Sequence, residues 1–453
     1  MQVVVVPSPV QSHVNACLSI ARYLTYVGGF SFILVLTEDF AANVTYPKEI
    51  RIVTVPSDGP CFSDSLDVNL VFRIMRSMRS GFESVLRTLI SSGSRVCIIG
   101  DCFVTWIHEV ATLHSVPRYV LYLENAHCLA ISLHVPCLLH EGLVPVQDPN
   151  LLIDNIPGVF PFFARELPTG PKIMPHLVME VLENFHESAG VIFNTLYSWE
   201  SKPLEVIKRK FPVYPIGPLP LMHCPDKSLP EVKTTIWRED ESCLKWLDAM
   251  PTSSILYVSF GSVASMGVNQ IQKLAEGLEA SGHPFLWVLR VNMVKGSIKD
   301  ILPDEFWEKT RSRALVISWA PQLKVLAHAA VGGFLTHCGW HSIVENLSGG
   351  CVPMLCWPLI ADQHFNAKLL TDEWKVGLQL LQDDDGIVKK EEVTRAVKEL
   401  MAGKIRQSLI ENSLRLKEAA CSAFQEGGSS AKYIEGLVQD MTNLSTHTKS
   451  DNE

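Results

Sequence analysis

A doubly wound α/β fold, built twice along one chain, is what this sequence predicts, and three observations carry the expectation. Short β-branched runs alternate with helix-like stretches from the first residues onward. The alternation starts afresh after a proline-rich break near the middle, and the side chains suited to chemistry gather just behind the apolar runs. Such alternation argues for parallel strands wrapped by helices, because a parallel sheet is covered on both faces and its strands read as near-continuous apolar runs. At 453 residues the chain is too long for one small core, and a soft expectation of about 150 residues per domain suggests two or three, of which we take two.

Taken in order, "QVVVVPSP" behind Met1 reads as a buried strand, with neither the basic flank nor the cleavage site of a leader. "NACLSIARYLTYV" follows as a helix, "SFILVL" as a strand, and "SRVCIIGD" with "FVTWIHEVATLH" as another strand and helix. "GLVPVQDPNLLIDNIPGVFPFFARELPTGP" reads as a long excursion over the binding face of the first half. In "PVYPIGPLPLMHCPDKSLP", Pro212, Pro215, Pro218, Pro220, Pro225 and Pro230 forbid regular structure and stiffen the chain, as an interdomain linker requires. The second series is "SILYVSFGS", "PFLWVLR", "ALVISWAPQ", "VGGFLTH" and "CVPMLCWP", each followed by a helical or turn-rich segment. The expected division is a first domain over 1–220, a linker over 221–240, a second domain over 241–430, and a C-terminal helix with a frayed tail over 431–453. In that helix Ile434, Leu437, Val438 and Met441 share one stripe, so it packs on something.

Composition removes several classes of function. With 39 Lys and Arg against 48 Asp and Glu the net charge is −9, which gives a nucleic acid or an anionic membrane no broad attraction. No apolar run reaches the roughly 20 residues of a membrane-spanning helix. The twelve cysteines are scattered without a CxxC pair and sit largely in apolar runs, which suits reduced thiols in the cytosol and neither disulfides nor zinc. The glycosylation triplets at Asn43 and Asn443 are therefore expected to stay unmodified. There is no GxGxxG behind the first strand and no GxxxxGK[ST] anywhere, which disfavours a dinucleotide dehydrogenase and a P-loop enzyme. "QDDDG" at 382–386 offers the paired Asp of a metal site, but an acidic run ending in Gly reads as an exposed turn.

Open parallel sheets bind ligands beyond the carboxyl ends of their strands. That rule selects His13 and Asp101 in the first half, and Ser262, Trp319, His337 and the pair Asp362 and Gln363 in the second. In "THCGWHSIVENLSGGCVP", Gly339 permits a tight turn and a helix begins just behind it, whose free N–H groups and dipole suit a phosphate. Ser342 adds a hydroxyl donor and His337 a neutral or cationic donor, while Glu345 is spaced to accept from two ribose hydroxyls. Trp319 supplies a flat surface for a nucleobase. Together these residues describe a nucleoside diphosphate site.

These residues also carry a resemblance. The stretch "WAPQLKVLAHAAVGGFLTHCGWHSIVENLSGGCVPMLCWPLIADQ", Trp319 to Gln363, resembles the C-terminal signature box of the plant secondary-product glycosyltransferases, the UDP-sugar-dependent family. The likeness extends over nearly the whole chain, through "PSPVQSHVN", "GDCFVTW", "VIFNTLYSWE", "YPIGPL", "WLD" and "SILYVSFGS". It implies the GT-B architecture, two Rossmann-like domains facing across a cleft, the first taking the acceptor and the second the UDP-sugar. It makes Trp319 the platform for uracil, sets Gln322 beside base and ribose, gives Glu345 the ribose hydroxyls, and gives His337, Gly339, Ser342 and Ser262 the diphosphate. Trp340, Asp362 and Gln363 would bind the sugar hydroxyls, and Gln at that last position goes with UDP-glucose. His13 would be the general base for an acceptor hydroxyl, oriented by Asp101.

The implied enzyme is a cytosolic monomer in no need of a metal or cofactor, which moves glucose with inversion to a small lipophilic hydroxyl compound such as a phenolic, flavonoid or terpenoid. A non-catalytic nucleotide-sugar-binding protein on the same fold is the alternative. Three departures from the family pattern stand out. His341 occupies the place of an Asn, the box spans 45 residues, one more than usual, and Ser12 and Ala16 replace a Gly and a Pro around His13. The extra residue falls in "SGGCVP", where Gly349 and Gly350 can absorb it. Leu123, Glu124 and Asn125 replace a small hydroxylated run near the expected sugar 6-hydroxyl. Phe160, Phe162, Phe163 and Trp106 either line the acceptor pocket or pack locally.

Overall fold

The valine run behind Met1 becomes the centre of a parallel sheet. In the computed structural model, which describes residues 1–42, 50–58, 68–222, 237–262, 265–290, 301–383 and 386–447, the strand β1 (Gln2–Val6) keeps Val3 to Val6 at most 1% exposed. The chain divides into two units, one holding the described residues from 1 to 222 with 420–447, the other holding 237–419. Asn43, Pro225, Pro230, most of the expected linker, Asp384, Asp385 and the last six residues lie outside the described residues.

The large sheet of the first unit has seven described strands, all parallel, in the order β3-β2-β1-β4-β5-β8-β9. Beside β1 these are β2 (Ser31–Thr37), β3 (Arg51–Val55), β4 (Val96–Asp101), β5 (Arg118–Tyr122), β8 (Gly190–Phe193) and β9 (Val213–Pro215). Alternate residues serve opposite faces, as strand geometry dictates. Val3, Val5, Leu34 and Ile99 join the core under the helix Gln11–Gly28, while Val4, Val6, Ile33 and Ile98 join Met75, Phe82 and Leu86 of the helix Val68–Ser91. The first of these helices stops where Gly29 takes the left-handed conformation at φ 63°.

The proline-rich excursion is not structureless. β6 (Leu152–Ile153) and β7 (Phe162–Phe163) pair antiparallel within it, and Ile153 and Phe162 are buried at 2% and 1% exposure. The stripe on the last helix, Ser429–His447, finds its partner in this unit: Ile434, Leu437 and Met441 enter the core formed by β1 and β2. Tyr214 donates to Asp440 at 2.6 Å and Ser430 to the carbonyl of Gly217 at 2.6 Å, tying that helix down. Residues 420–430, assigned by the sequence to the second domain, therefore belong with the first. The helix also runs on to His447 where a frayed tail was expected to begin.

The second unit repeats the plan with six parallel strands in the order β12-β11-β10-β13-β14-β15. They are β10 (Ile255–Ser259), β11 (Phe285–Val288), β12 (Ala314–Ile317), β13 (Val331–Thr336), β14 (Met354–Cys356) and β15 (Gly377–Gln379). Trp287 and Trp357, at 0% and 1% exposure, fill one face with Leu256, Val258 and Leu335. In each sheet the strand order reverses once, between β1 and β4 and between β10 and β13. A doubly wound sheet opens a crevice beyond the strand ends at such a reversal. Among the described residues no helix is long and apolar enough to cross a membrane, and no group of three or more His, Cys, Asp or Glu could hold a metal ion.

Candidate active site

At the reversal in the first sheet stand His13 and Asp101. β1 ends at Val6, and the helix that follows is entered through Val10, extended at φ −126°, so His13 lies in the helix's first turn. Asp101 is the last residue of β4, one step beyond the Val6–Gly100 pair. The imidazole Nδ1 of His13 lies 2.5 Å from Oδ2 of Asp101, and the side chains are 17% and 0% exposed. The amides of Ser8 and Phe103 donate to the two carboxylate oxygens, each at 3.1 Å. Burial works against ionisation of Asp101, but the charge and hydrogen bond of His13 and those two amides outweigh it and hold the carboxyl below its usual range. An ionised carboxylate only accepts, so Nδ1 carries the hydrogen and the neutral ring keeps its lone pair on Nε2. The ring of Phe103 lies 6.0 Å from that of His13. The sequence singled out neither Ser8 nor Phe103, whose contribution comes from the backbone.

Two glycines close around His337 at the reversal in the second sheet. His337 follows β13 directly, and Gly261 and Ser262 follow β10 in a turn. In the tight turn expected at Gly339, the left-handed residue is its neighbour: Cys338 takes φ 65°, while Gly339 is at φ −64°. The reason for glycine there is space, because a Cβ on Gly339 would collide with Nε2 of His337. A Cβ on Gly261, itself at φ 70°, would stand 2.8 Å from the same nitrogen. Burial and the charge of Arg290 drive the His337 pKa down to about 4, with a backbone hydrogen bond to Ser259 opposing them. The ring is thus held neutral near pH 7. Its Nδ1 is buried and has no hydrogen-bond partner among the described residues.

The helix Trp340–Ser348 begins here and carries Ser342 and Glu345 one turn apart. Gln322, first residue of the helix Gln322–Leu326, donates to both, at 2.9 Å to Ser342 and 2.6 Å to Glu345. Tyr257, in β10, donates to the Gln322 carboxamide oxygen at 3.2 Å and so fixes which way that amide faces. Burial raises Glu345 to about 7, against the opposing hydrogen bond from Gln322. Trp319 is partly exposed two residues past β12, with Trp237 beside it at 6.4 Å and 37°, and its carbonyl accepts from the amide of Asp240 at 3.0 Å.

Trp340, expected among the sugar-binding residues, opens the helix with its indole buried to 2% exposure, 6.0 Å from the ring of Trp374. Asp362 and Gln363 stand where the helix Gln363–Lys368 starts, behind Ala361 at φ 58°. The Gln363 carboxamide oxygen accepts from the amides of Leu359 and Ile360, both at 2.9 Å. Asn366 donates to Asp362 at 2.7 Å and to the carbonyl of Cys338 at 2.8 Å, which joins this helix to the turn beside His337. In the loop where the extra residue of the box was expected, Cys351 takes φ 54° and Asn346 clamps the chain through Val352: its amide donates to the carbonyl at 2.8 Å and its oxygen accepts from the N–H at 3.2 Å. His341 is partly buried in the first turn of the Trp340–Ser348 helix.

Sequence reasoning missed Tyr257, Trp237 and Asn366. Only Tyr257 had a signal, its place in a strand that ends at the selected Ser262.

Residues 238–419 match the family described as UDP-glucoronosyl and UDP-glucosyl transferase. The chain is 32% identical to UDP-glycosyltransferase 85A7 of Arabidopsis thaliana, over 96% of each chain. It is 30% identical to 7-deoxyloganetin glucosyltransferase of Catharanthus roseus, over 98% of this chain and 97% of that one. Its fold is similar to that of Phytolacca americana UGT2 complexed with UDP-2fluoro-glucose and pterostilbene, at TM-score 0.84 and 29% identity, covering 97% of this chain and 99% of the other.

Proposed function

Because this chain belongs to the UDP-glucoronosyl and UDP-glucosyl transferase family, whose members it matches over nearly its full length, we propose that it transfers glucose from UDP-glucose to a hydroxyl of a small lipophilic molecule. The single observation that carries the chemical step is the His13–Asp101 pair, 2.5 Å apart with the carboxylate wholly buried. Nε2 of His13 takes the acceptor proton while the acceptor oxygen forms its bond to the anomeric carbon. Asp101 keeps the ring in the required tautomer and stabilises the imidazolium. The bond to UDP breaks on the opposite face, so the configuration inverts.

In the second unit the reading gives Trp319 the uracil and Glu345 the ribose, with Gln322 holding Glu345 in place. Ser262, the neutral His337, Ser342 and the start of the nine-residue helix at Trp340 supply donors to the departing diphosphate. These groups do the work a metal ion does elsewhere, and turnover is expected to be unchanged by EDTA. Glucose is favoured by Gln363, whose oxygen is engaged by two amides so that its nitrogen faces hydroxyl groups as a donor. Relatives named as glucosyltransferases point the same way.

The test is release of UDP from UDP-glucose with a panel of plant phenolics and terpenoid alcohols. Acceptor-dependent release supports the reading. UDP-glucose that binds without release under any acceptor favours the nucleotide-sugar-binding protein, although a mere binder has no need of a buried imidazole–carboxylate pair.

A pH dependence follows from Glu345. Ribose hydroxyls donate to its ionised form, so binding lowers its pKa from about 7 and releases a proton. Affinity for UDP-glucose, whose diphosphate does not titrate in the neutral range, is therefore expected to rise as pH climbs through about 7 and then level off. Calorimetric titration at several pH values checks this. The rise should vanish in Glu345→Gln, and a flat profile in the native protein would remove Glu345 from the ribose.

A further inference from the structure

β10 is buried from end to end, and among its apolar side chains Tyr257, 1% exposed, carries a hydroxyl into the interior of the second unit. A phenol closed off in this way needs a partner for its O–H. The ring is fixed by Phe334 of the neighbouring β13, with centroids 5.2 Å apart and planes at 21°. The hydroxyl donates to the carboxamide oxygen of Gln322 at 3.2 Å.

That bond decides what the rest of the amide does. With its oxygen engaged by Tyr257, the nitrogen turns the other way and donates to Oγ of Ser342 at 2.9 Å and to Oε2 of Glu345 at 2.6 Å. The reversed amide would set its oxygen against the ionised carboxylate of Glu345, and both groups only accept. Gln322 therefore fastens Glu345 by one oxygen. Among the described residues nothing donates to the other, Oε1, on a side chain that is partly exposed. A carboxylate pinned at one oxygen and open at the other keeps a fixed direction for an incoming donor, as recognition of particular hydroxyls requires. Tyr257, Gln322, Phe334, Ser342 and Glu345 all belong to the second unit.

We infer that Tyr257 is a positioning residue for the donor nucleotide: through Gln322 it sets the Glu345 carboxylate to receive the ribose hydroxyls. Tyr257 is too enclosed to touch the nucleotide itself, so its effect passes through the amide. The inference deepens the reading that Glu345 takes the ribose, and rests on it.

UDP and 2′,3′-dideoxy-UDP, which differ only in the ribose hydroxyls, separate this role from a structural one. Both are titrated calorimetrically into the native protein, Tyr257→Phe, Gln322→Met and the double variant. The native protein is expected to bind UDP at least about tenfold more tightly than the dideoxy nucleotide. Tyr257→Phe keeps a ring against Phe334 and removes one oxygen. The ratio should then fall to within about threefold, with the dideoxy nucleotide bound within about twofold of native. In the Gln322→Met background the same change should lower the ratio no further, because the route from Tyr257 to Glu345 is already cut. Tyr257→Met, read the same way, decides the matter if the Phe variant does not fold.

An unchanged ratio in Tyr257→Phe overturns the inference, as does an equal weakening of both nucleotides or a full effect that persists without Gln322. A native protein that binds the two nucleotides alike removes Glu345 from the ribose and takes the inference with it. Turnover of UDP-glucose is read separately: a ratio that depends on Tyr257 without any product leaves the inference standing and sinks the transferase reading.

Discussion

His13→Ala is expected to lower kcat by a factor on the order of 10² to 10⁴, the range that a positioned general base contributes, while UDP binds as it does to the native protein. The second half of that expectation follows from the division of the chain: His13 belongs to the first unit, and the residues assigned to the nucleotide belong to the second. Circular dichroism and calorimetry of UDP binding establish that the variant is folded and loaded; the rate then reports the base alone. Asp101→Asn is expected to act through His13. An Asn side chain can offer its N–H₂ to Nδ1 and so favour the tautomer with the hydrogen on Nε2, where the lone pair is needed. It should depress kcat with little change in the KM for UDP-glucose, and part of the rate should not return at higher pH, because the tautomer rather than the charge is at fault. If His13→Ala keeps turnover within about tenfold of native, the proton leaves the acceptor by another route and the proposed mechanism fails.

Gly350→Ala should give the largest loss of stability. The Cβ would overlap the carbonyl of Leu326, and that contact is with backbone rather than with the end of a flexible side chain. Relief requires a shift of the helix Gln322–Leu326 or of the loop clamped by Asn346. Overpacking of this kind costs about 3 kcal/mol. The loop has few other ways to yield, because Lys417 also holds the carbonyl of Gly349 at 2.5 Å and the Cys351 thiol donates to the carbonyls of Leu347 and Ser413. We expect a lower midpoint in scanning calorimetry together with weaker UDP binding, since the helix that moves carries Gln322. Gly349→Ala is the control: its Cβ would come no closer than 3.2 Å, to the Glu345 carbonyl, so a much smaller effect is expected. Equal midpoints for the two variants would show that the overlap relaxes freely.

The sequence made the strands and their ends legible because both depend on local pattern. An apolar run of five or six residues needs no distant information to be read as a buried strand, and the parallel-sheet rule then selects His13, Asp101, Ser262 and His337. What stayed hidden depends on contacts between distant residues. The bond from Tyr257 to Gln322 joins residues 65 apart, and that from Asn366 to the Cys338 carbonyl joins residues 28 apart. Gly339 shows a subtler limit. Glycine announces either a left-handed backbone or a close approach, and only coordinates tell that Cys338 makes the turn while Gly339 makes room for an imidazole. Trp340 was placed among the ligands by its position in the box, while its ring neighbour Trp374 lies 34 residues later in the chain and no local pattern announces it. The stripe on the last helix was visible, yet the surface that covers it lies at the other end of the sequence.

That last contact has a consequence for how the protein is made. The described part of the second unit lies within 237–419, so all of its described strands have been synthesised before the last helix emerges. The large sheet of the first unit has all seven described strands in hand by Pro215, but the unit lacks Ile434, Leu437 and Met441 from the core beside Val3 and Leu34. On the ribosome the unit begun first is therefore completed last, with an apolar face uncovered while more than two hundred further residues are added. A premature stop codon that removes Ile434, Leu437 and Met441 would leave that face bare, although every strand of the sheet is present.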